Sequence, residues 1–243
     1  MSIKPTLPEW EKARIQSHFG FSKVPFNKNL WPDELFDSKS QRELLHGLNL
    51  WLGGVRGLAL VTGRTGVGKS VASRRLVHSL DDARFRVLVL TAVPSTSYGF
   101  LRAINRLLGL PMRAHATDLF DQAHHHLTGQ KDENTAHPLL VIDDAEGLRV
   151  EILDLLRRLT AYALDSEDRF SVLLAATDDF LLTLRHPTLA PLRSRFSYAH
   201  ALRPYALEDT RNYVTFHLRR AGVRPDLFSD DCATTTIPAH SDN

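Results

Sequence analysis

A single cysteine, Cys232, occurs among the 243 residues. The chain therefore forms no internal disulfide and no multi-cysteine metal site, which fits a reducing compartment. Long apolar runs are missing as well. The longest, around Gly57 to Val61 and Leu139 to Ile142, fall far short of the roughly 20 residues of a membrane-spanning helix. The opening Met1-Ser2-Ile3-Lys4-Pro5, with Glu9, Glu11 and Lys12 close behind, lacks the apolar core of a signal peptide. A cytoplasmic protein without a membrane span is expected. Charge of one sign is nearly absent in sum: 30 Lys plus Arg against 28 Asp plus Glu leave a net +2, weak guidance about a polyanionic partner. Arginine dominates among the bases, 23 to 7. That bias suits bidentate phosphate or carboxylate contacts, and equally reflects GC-rich coding. No internal repeat and no compact DNA-reading motif is visible. What is present, 43% hydrophobic and 24% charged residues, excludes collagen-like and wholly disordered chains and allows one sizeable domain with a small appendage.

Short β-rich runs alternate with amphipathic stretches. Strands are expected at 57–62, 86–91, 139–143, 171–176 and 198–202, and helices at 39–52, 69–80, 97–108, 118–127, 150–164 and 208–221. In the helix at 150–164, Ile152, Leu155, Leu156, Leu159 and Tyr162 form a core-facing stripe with Arg157 and Arg158 outside it. Five strands separated by helices imply a parallel α/β sheet. Residues 1–35 read as an ordered, aromatic-rich N-terminal arm, 36–204 as the core, 205–231 as a partial helical lid, and 232–243, polar and aperiodic, as a disordered tail that looks shortened.

One motif dominates. Gly63-Arg64-Thr65-Gly66-Val67-Gly68-Lys69-Ser70 follows a strand and opens a helix, the context a phosphate-binding loop requires. Glycines let the backbone wrap a phosphate without Cβ interference, beside a helix N-terminus that favours anions. The stretch Gly63 to Val71 is therefore the expected ATP site, with Lys69 reaching the β- and γ-phosphates and the Ser70 hydroxyl on Mg²⁺. Leu139-Leu140-Val141-Ile142-Asp143 is an apolar strand ending in an acid, which brings a second candidate Mg²⁺ ligand, Asp143, to the sheet's C-terminal edge. Three weaker signals stand beside these. His124-His125-His126 splay about 100° apart on a helix and cannot converge on a metal. Arg74, Arg75, Arg102, Arg106 and Arg113 are either a DNA-facing surface or scattered solvated side chains. Thr177 ends the fourth strand.

The loop, Asp143-Asp144-Ala145-Glu146, Ala175-Ala176-Thr177 and Leu192-Arg193-Ser194-Arg195-Phe196 together resemble a AAA+ P-loop ATPase. More narrowly, Phe19-Gly20-Phe21, Pro25-Phe26 and Leu202 to Thr210 resemble transposon-encoded ATPase subunits of the TniB and TnsC type and secretion ATPases of the ExeA type. The resemblance implies an α/β fold with a five-stranded parallel sheet and a short helical lid. It implies ATP hydrolysis with Asp143 as the Walker B acid, Thr177 as the sensor 1 residue and Arg195, preferred over Arg193, as an arginine finger acting in trans within a homo-oligomer. Asp144 stands where the family carries the glutamate that polarises water. Asp is one methylene shorter, so hydrolysis is expected to be slow, or Glu146 compensates. The implied function is ATP-dependent assembly on double-stranded DNA that regulates a transposase. The alternatives are assembly of a secretion apparatus, whose ATPases continue into a transmembrane helix that these residues do not contain, and a weakly hydrolysing switch.

Overall fold

The structure, a computed structural model, describes residues 9–23, 25–26, 30–31, 34–129, 136–161 and 168–223. Tyr162, the end of the helix expected to reach Leu164, the lid beyond Val223 and the 232–243 tail lie outside the described residues. Two compact units arise: residues 39–204, and the described parts of 1–38 with 205–243.

The larger unit contains β1 (Leu58–Thr62), β2 (Phe85–Leu90), β3 (His137–Ile142), β4 (Ser171–Ala176) and β5 (Phe196–Ala201). All pair in parallel in the order β2-β3-β4-β1-β5. Burial follows position in that order. Strands β1 and β4 are buried at every residue, whereas the outer β5 alternates half-buried and exposed, as expected when only inner strands are covered on both faces. Alternate residues enter opposite layers. Leu60, Leu140, Val172 and Leu174 pack with Phe100 and Ile104 of α4 (Ser97–Leu107), Leu119 of α5 (Ala116–Thr128) and Ile152 and Leu156 of α6 (Val150–Thr160). Ala59, Val61, Val141 and Leu173 pack with Leu44 and Leu48 of α2 (Lys39–Leu50) and Ala72 and Leu76 of α3 (Lys69–Ser79). Short helices α7 (Phe180–Leu184) and α8 (Ala190–Arg193) precede β5.

Two departures from the sequence expectation have local causes. The first helix does not run regularly to Leu52: it widens into a π-helical turn at Trp51–Val55. There the Trp51 indole N–H donates to the Arg56 carbonyl at 2.6 Å and to Ser197 Oγ at 3.0 Å. Arg56 and Gly57 both take positive φ, 58° and 80°, so the strand begins at Leu58 and not at Gly57. The stripe helix α6 is the second case, ending at Thr160 where Ala161 turns to extended backbone at φ −73°, ψ 119°. Its Asp154 carboxylate accepts from Arg157 Nε at 2.8 Å and lies 3.5 Å from Arg158 Nε.

The smaller unit adds α1 (Glu9–Phe19) and α9 (Leu207–Arg220). Helix α1 carries no apolar stripe and so left no periodic signal in the sequence. The aromatic lead packs on α9. Phe36 meets Tyr205 and Tyr213 edge-on at 5.9 and 5.7 Å, and Phe26 lies 5.2 Å from His217. Ser22 Oγ donates to the Ala221 carbonyl at 3.0 Å, and Arg220 holds both the carboxylate and the carbonyl of Glu34. The described parts of 1–38 and 205–223, separated by some 170 residues of chain, are thus one body.

Candidate nucleotide site

The topology creates the site. From β1 the chain crosses β4 and β3 to reach β2, returns through β3 and β4, and ends beyond β1 at β5. Such a reversal leaves a crevice at the C-terminal ends of the strands. Thr62 is paired with Ala176 on one side and Ala201 on the other, so Gly63, Thr177 and Leu202 follow three adjacent strands at that edge.

The loop glycines answer two demands, close approach and a left-handed backbone. A Cβ at Gly63 would lie 2.5 Å from the Leu202 carbonyl oxygen and 2.9 Å from the Val67 side chain. Leu202 cannot retreat, because its N–H donates to the Thr62 carbonyl at 2.8 Å. Gly66 and Gly68 have φ of 88° and 103°, the left-handed region that side chains disfavour. Gly68 also caps α3, and its carbonyl accepts from Gln41 Nε2 of α2 at 3.2 Å. Sequence reading missed Gln41. The available signal was a polar residue three positions before Leu44 on the helix's apolar side, and it is 1% exposed.

Lys69 is nearly buried and folds back over the loop, its Nζ donating to the carbonyls of Gly63 at 2.8 Å and Arg64 at 3.2 Å. Arg64, Thr65, Gly66 and Ser70 are exposed, and Val67 and Val71 half-buried. The first turn of α3 carries no acidic residue, so its amide ends present positive partial charge without a local anion.

Asp143 extends β3 by one bond, its N–H donating to the Leu90 carbonyl at 3.2 Å. Its Oδ1 is buried and has no hydrogen-bond partner. A buried carboxylate oxygen without a donor is costly and suits a cation. The Ser70 hydroxyl at the start of α3 is a further hard oxygen donor, and oxygen donors are what Mg²⁺ takes, so the chemistry of these residues fits the metal.

Asp144 adopts φ 54°, ψ 42° and is exposed. Partial burial, then the charges of Asp143 and Glu146, push its carboxyl up, while Lys69 opposes them. Glu146, in the turn Ala145–Gly147, accepts from the Thr177 backbone N–H at 3.2 Å. That bond ties the turn after β3 to the end of β4, and spacing alone gave no sign of it.

The two arginines lie elsewhere in their own chain's hydrogen bonding. Arg195 donates to the Arg157 carbonyl at 2.8 Å and to Thr160 Oγ1 at 3.0 Å, closing the C-terminus of α6. Arg193 donates to the Leu184 carbonyl at 2.6 Å. The histidine run diverges as expected from helical geometry: His124 Nε2 meets the Ala161 carbonyl and His126 Nε2 meets Arg86. The described residues contain no cluster of three metal-ligating side chains. These five arginines do not make one surface, and Arg75 is buried. Arg74 and Arg75 are on α3 and Arg102 and Arg106 on α4, which pack on opposite faces of the sheet.

A model of the AAA domain family matches residues 54–184, more than half of the chain, and the protein belongs to this family. It is 31% identical over 220 residues to General secretion pathway protein A of Aeromonas hydrophila, an alignment that covers 89% of this chain and 40% of that protein. The chain therefore spans about two fifths of that relative's length. The Aeropyrum pernix ORC2 protein, in ADPNP-ADP complexes, superposes with a TM-score of 0.62 at 21% identity over 85% of this chain and 57% of the other. For Cdc6p of Pyrobaculum aerophilum the values are 0.60, 22%, 90% and 56%. At these identities the likeness is one of fold: a P-loop AAA+ domain, five parallel strands flanked by helices. No described helix is long and apolar enough to cross a membrane.

Proposed function

We propose that the chain binds ATP with Mg²⁺ on Gly63 to Val71 and hydrolyses it slowly within a homo-oligomer. The observation that carries this reading is the buried, unpartnered Asp143 oxygen at the sheet edge that also presents the glycine loop and Lys69. Lys69 exchanges the Gly63 and Arg64 carbonyls for phosphate oxygens, so an internal bond is replaced and not merely lost. Mg²⁺, held by Ser70 and Asp143, would supply neutralisation of phosphate charge. Asp144 is the base for the attacking water. Its raised affinity for protons favours accepting one, and its short side chain limits the rate. Glu146 is already engaged with the Thr177 N–H and positions Thr177 beside the γ-phosphate. Arg195 completes a neighbour's site only after leaving the end of α6, which makes turnover dependent on assembly.

Steady-state phosphate release tests the assignment. Asp144→Asn is expected to lose about 100-fold in kcat, and Asp144→Glu to gain about tenfold. Unchanged turnover in Asp144→Asn would transfer the base role to Glu146.

Between the two biological roles the resemblance implies, the 31% identity to a secretion-pathway protein supports ATP-driven assembly of a secretion apparatus over regulation of a transposase. Fluorescence polarisation of a random DNA duplex at two salt concentrations separates them, and no ATP-dependent binding is expected. Salt-sensitive binding that requires both ATP and Lys69 would restore the DNA and transposase reading.

A further inference from the structure

A second concavity lies at the β2 end of the sheet's C-terminal edge, one strand beyond Asp143. Strand β2 is an outer strand, paired with β3 alone among the described residues. In a parallel pair, alternate residues turn both main-chain groups toward the same neighbour. The Arg84 carbonyl accepts from the His137 N–H at 2.8 Å and the Leu90 carbonyl from the Asp143 N–H at 3.2 Å. Arg86 and Leu88 share that side. Val87 and Val89 therefore direct their N–H and C=O groups outward, and Val89 is 39% exposed. Alongside runs α4. Between the end of the strand and the helix is a cavity of about 380 Å³ with apolar walls that include Val89, Pro94, Ala103 and Leu107. Arg102 and Arg106, one helical turn apart and both exposed, line it too. Arg102 lies over the Tyr98 ring at 5.7 Å, and neither arginine has an acidic partner among the described residues.

We propose that this groove binds an extended acidic peptide. The peptide adds as a further strand to β2, seats an apolar side chain in the cavity and pairs carboxylates with Arg102 and Arg106. Three features converge on that occupant. Outward main-chain groups at Val87 and Val89 supply the hydrogen bonds of strand addition. The cavity, about 380 Å³ and at the low end of the range of ligand pockets, leaves room for an apolar side chain. Two arginines at helical spacing form planar forks matched to carboxylates. A nucleic acid duplex fits less well, because it needs a broad basic surface of many phosphate contacts, and Arg74 and Arg75 lie on the opposite face of the sheet.

Panning a random octapeptide display library on the full chain, with the Arg102→Ala/Arg106→Ala double variant as counter-target, tests it. Enriched peptides are expected to alternate apolar and acidic residues. A fluorescein-labelled synthetic copy of the most enriched should bind about tenfold more weakly to each single alanine variant. It should also slow amide hydrogen exchange at Val87 and Val89. Both substitutions are at exposed positions and should leave the melting temperature unchanged, so lost binding is not lost folding. The proposal is overturned if no peptide is enriched, if enriched peptides bind the double variant equally well, or if Val87 and Val89 are not protected. Binding of a random duplex of about 20 base pairs, abolished by the double substitution while no peptide is selected, would assign the groove to nucleic acid instead.

Discussion

ATP with Mg²⁺, at about 100 times its dissociation constant, should raise the melting temperature of the wild-type protein by about 5–10 °C and leave Lys69→Ala where it was. Ligand at that excess stabilises the folded state by about 2.7 kcal/mol. For a chain of this size each kcal/mol moves the midpoint by roughly 2–4 °C. The substitution has a separate cost in the absence of nucleotide. Lys69 is 8% exposed and its Nζ closes the loop on the Gly63 and Arg64 carbonyls, so Lys69→Ala should already melt a few degrees lower, on the order of 1 kcal/mol. The diagnostic quantity is thus the increment produced by ATP and not the midpoint itself. Differential scanning fluorimetry with and without nucleotide reads it, and omission of Mg²⁺ should shrink the wild-type increment. Equal increments in the two proteins would remove Lys69 from the phosphate site, and with it the reading of the loop.

Acidification should destabilise the fold by an amount on the order of 3 kcal/mol through one residue, His137. Its side chain is mostly buried at the start of β3, bonded to Ser171 Oγ at 2.9 Å and set edge-on to Phe85. Burial, helped by the positive charge of Arg56, pushes its imidazole down to about 4 from 6.5. The neutral ring is therefore the folded form. Above pH 6.5 neither state binds the proton and stability is full. As pH falls from 6.5 to about 4 the unfolded chain gains a proton that the folded chain refuses, and stability declines by about 1.4 kcal/mol per pH unit. Below about 4 both states are protonated and this contribution is flat. His126, His200 and His217 are also pushed down by burial and act in the same direction. Urea denaturation at pH 7 and pH 4.5, compared for wild type and His137→Gln, isolates the residue. The variant should lose markedly less stability between the two pH values, and an equal loss would show that His137 is protonated without penalty in the fold.

The parts of the fold legible in the sequence are those whose signal is local. Strands β1, β3 and β4 are short, continuous apolar runs between turn residues, and their expected bounds agree with the structure to within two residues. The phosphate loop was equally plain, because a left-handed backbone at φ 88° and 103° strongly favours glycine at positions 66 and 68. Helix α1 was not legible, having no apolar periodicity, nor was the union of the aromatic lead with α9, since contacts between Phe36 and Tyr213 leave no trace in either segment alone. The arginines show the same division. Composition marked arginine as a candidate phosphate contact and the resemblance marked Arg195 in particular, but only the structure shows Arg195 bonded at the end of α6 and Arg74 and Arg102 separated by the thickness of the sheet.

By itself the sequence determined the α/β class, the loop from Gly63 to Val71 and the acid at Asp143, because each follows from backbone sterics or from a run of adjacent residues. Only the tertiary structure decided which atoms meet: the Leu202 carbonyl that excludes a side chain at Gly63, the Gln41 amide on Gly68, the Glu146 bond to the Thr177 amide, and the outward edge of β2 beside Arg102 and Arg106. The physical reason is strand order. Its reversal around β1 brings chain segments more than 100 residues apart to one edge of the sheet, and no periodicity within a segment encodes its neighbours.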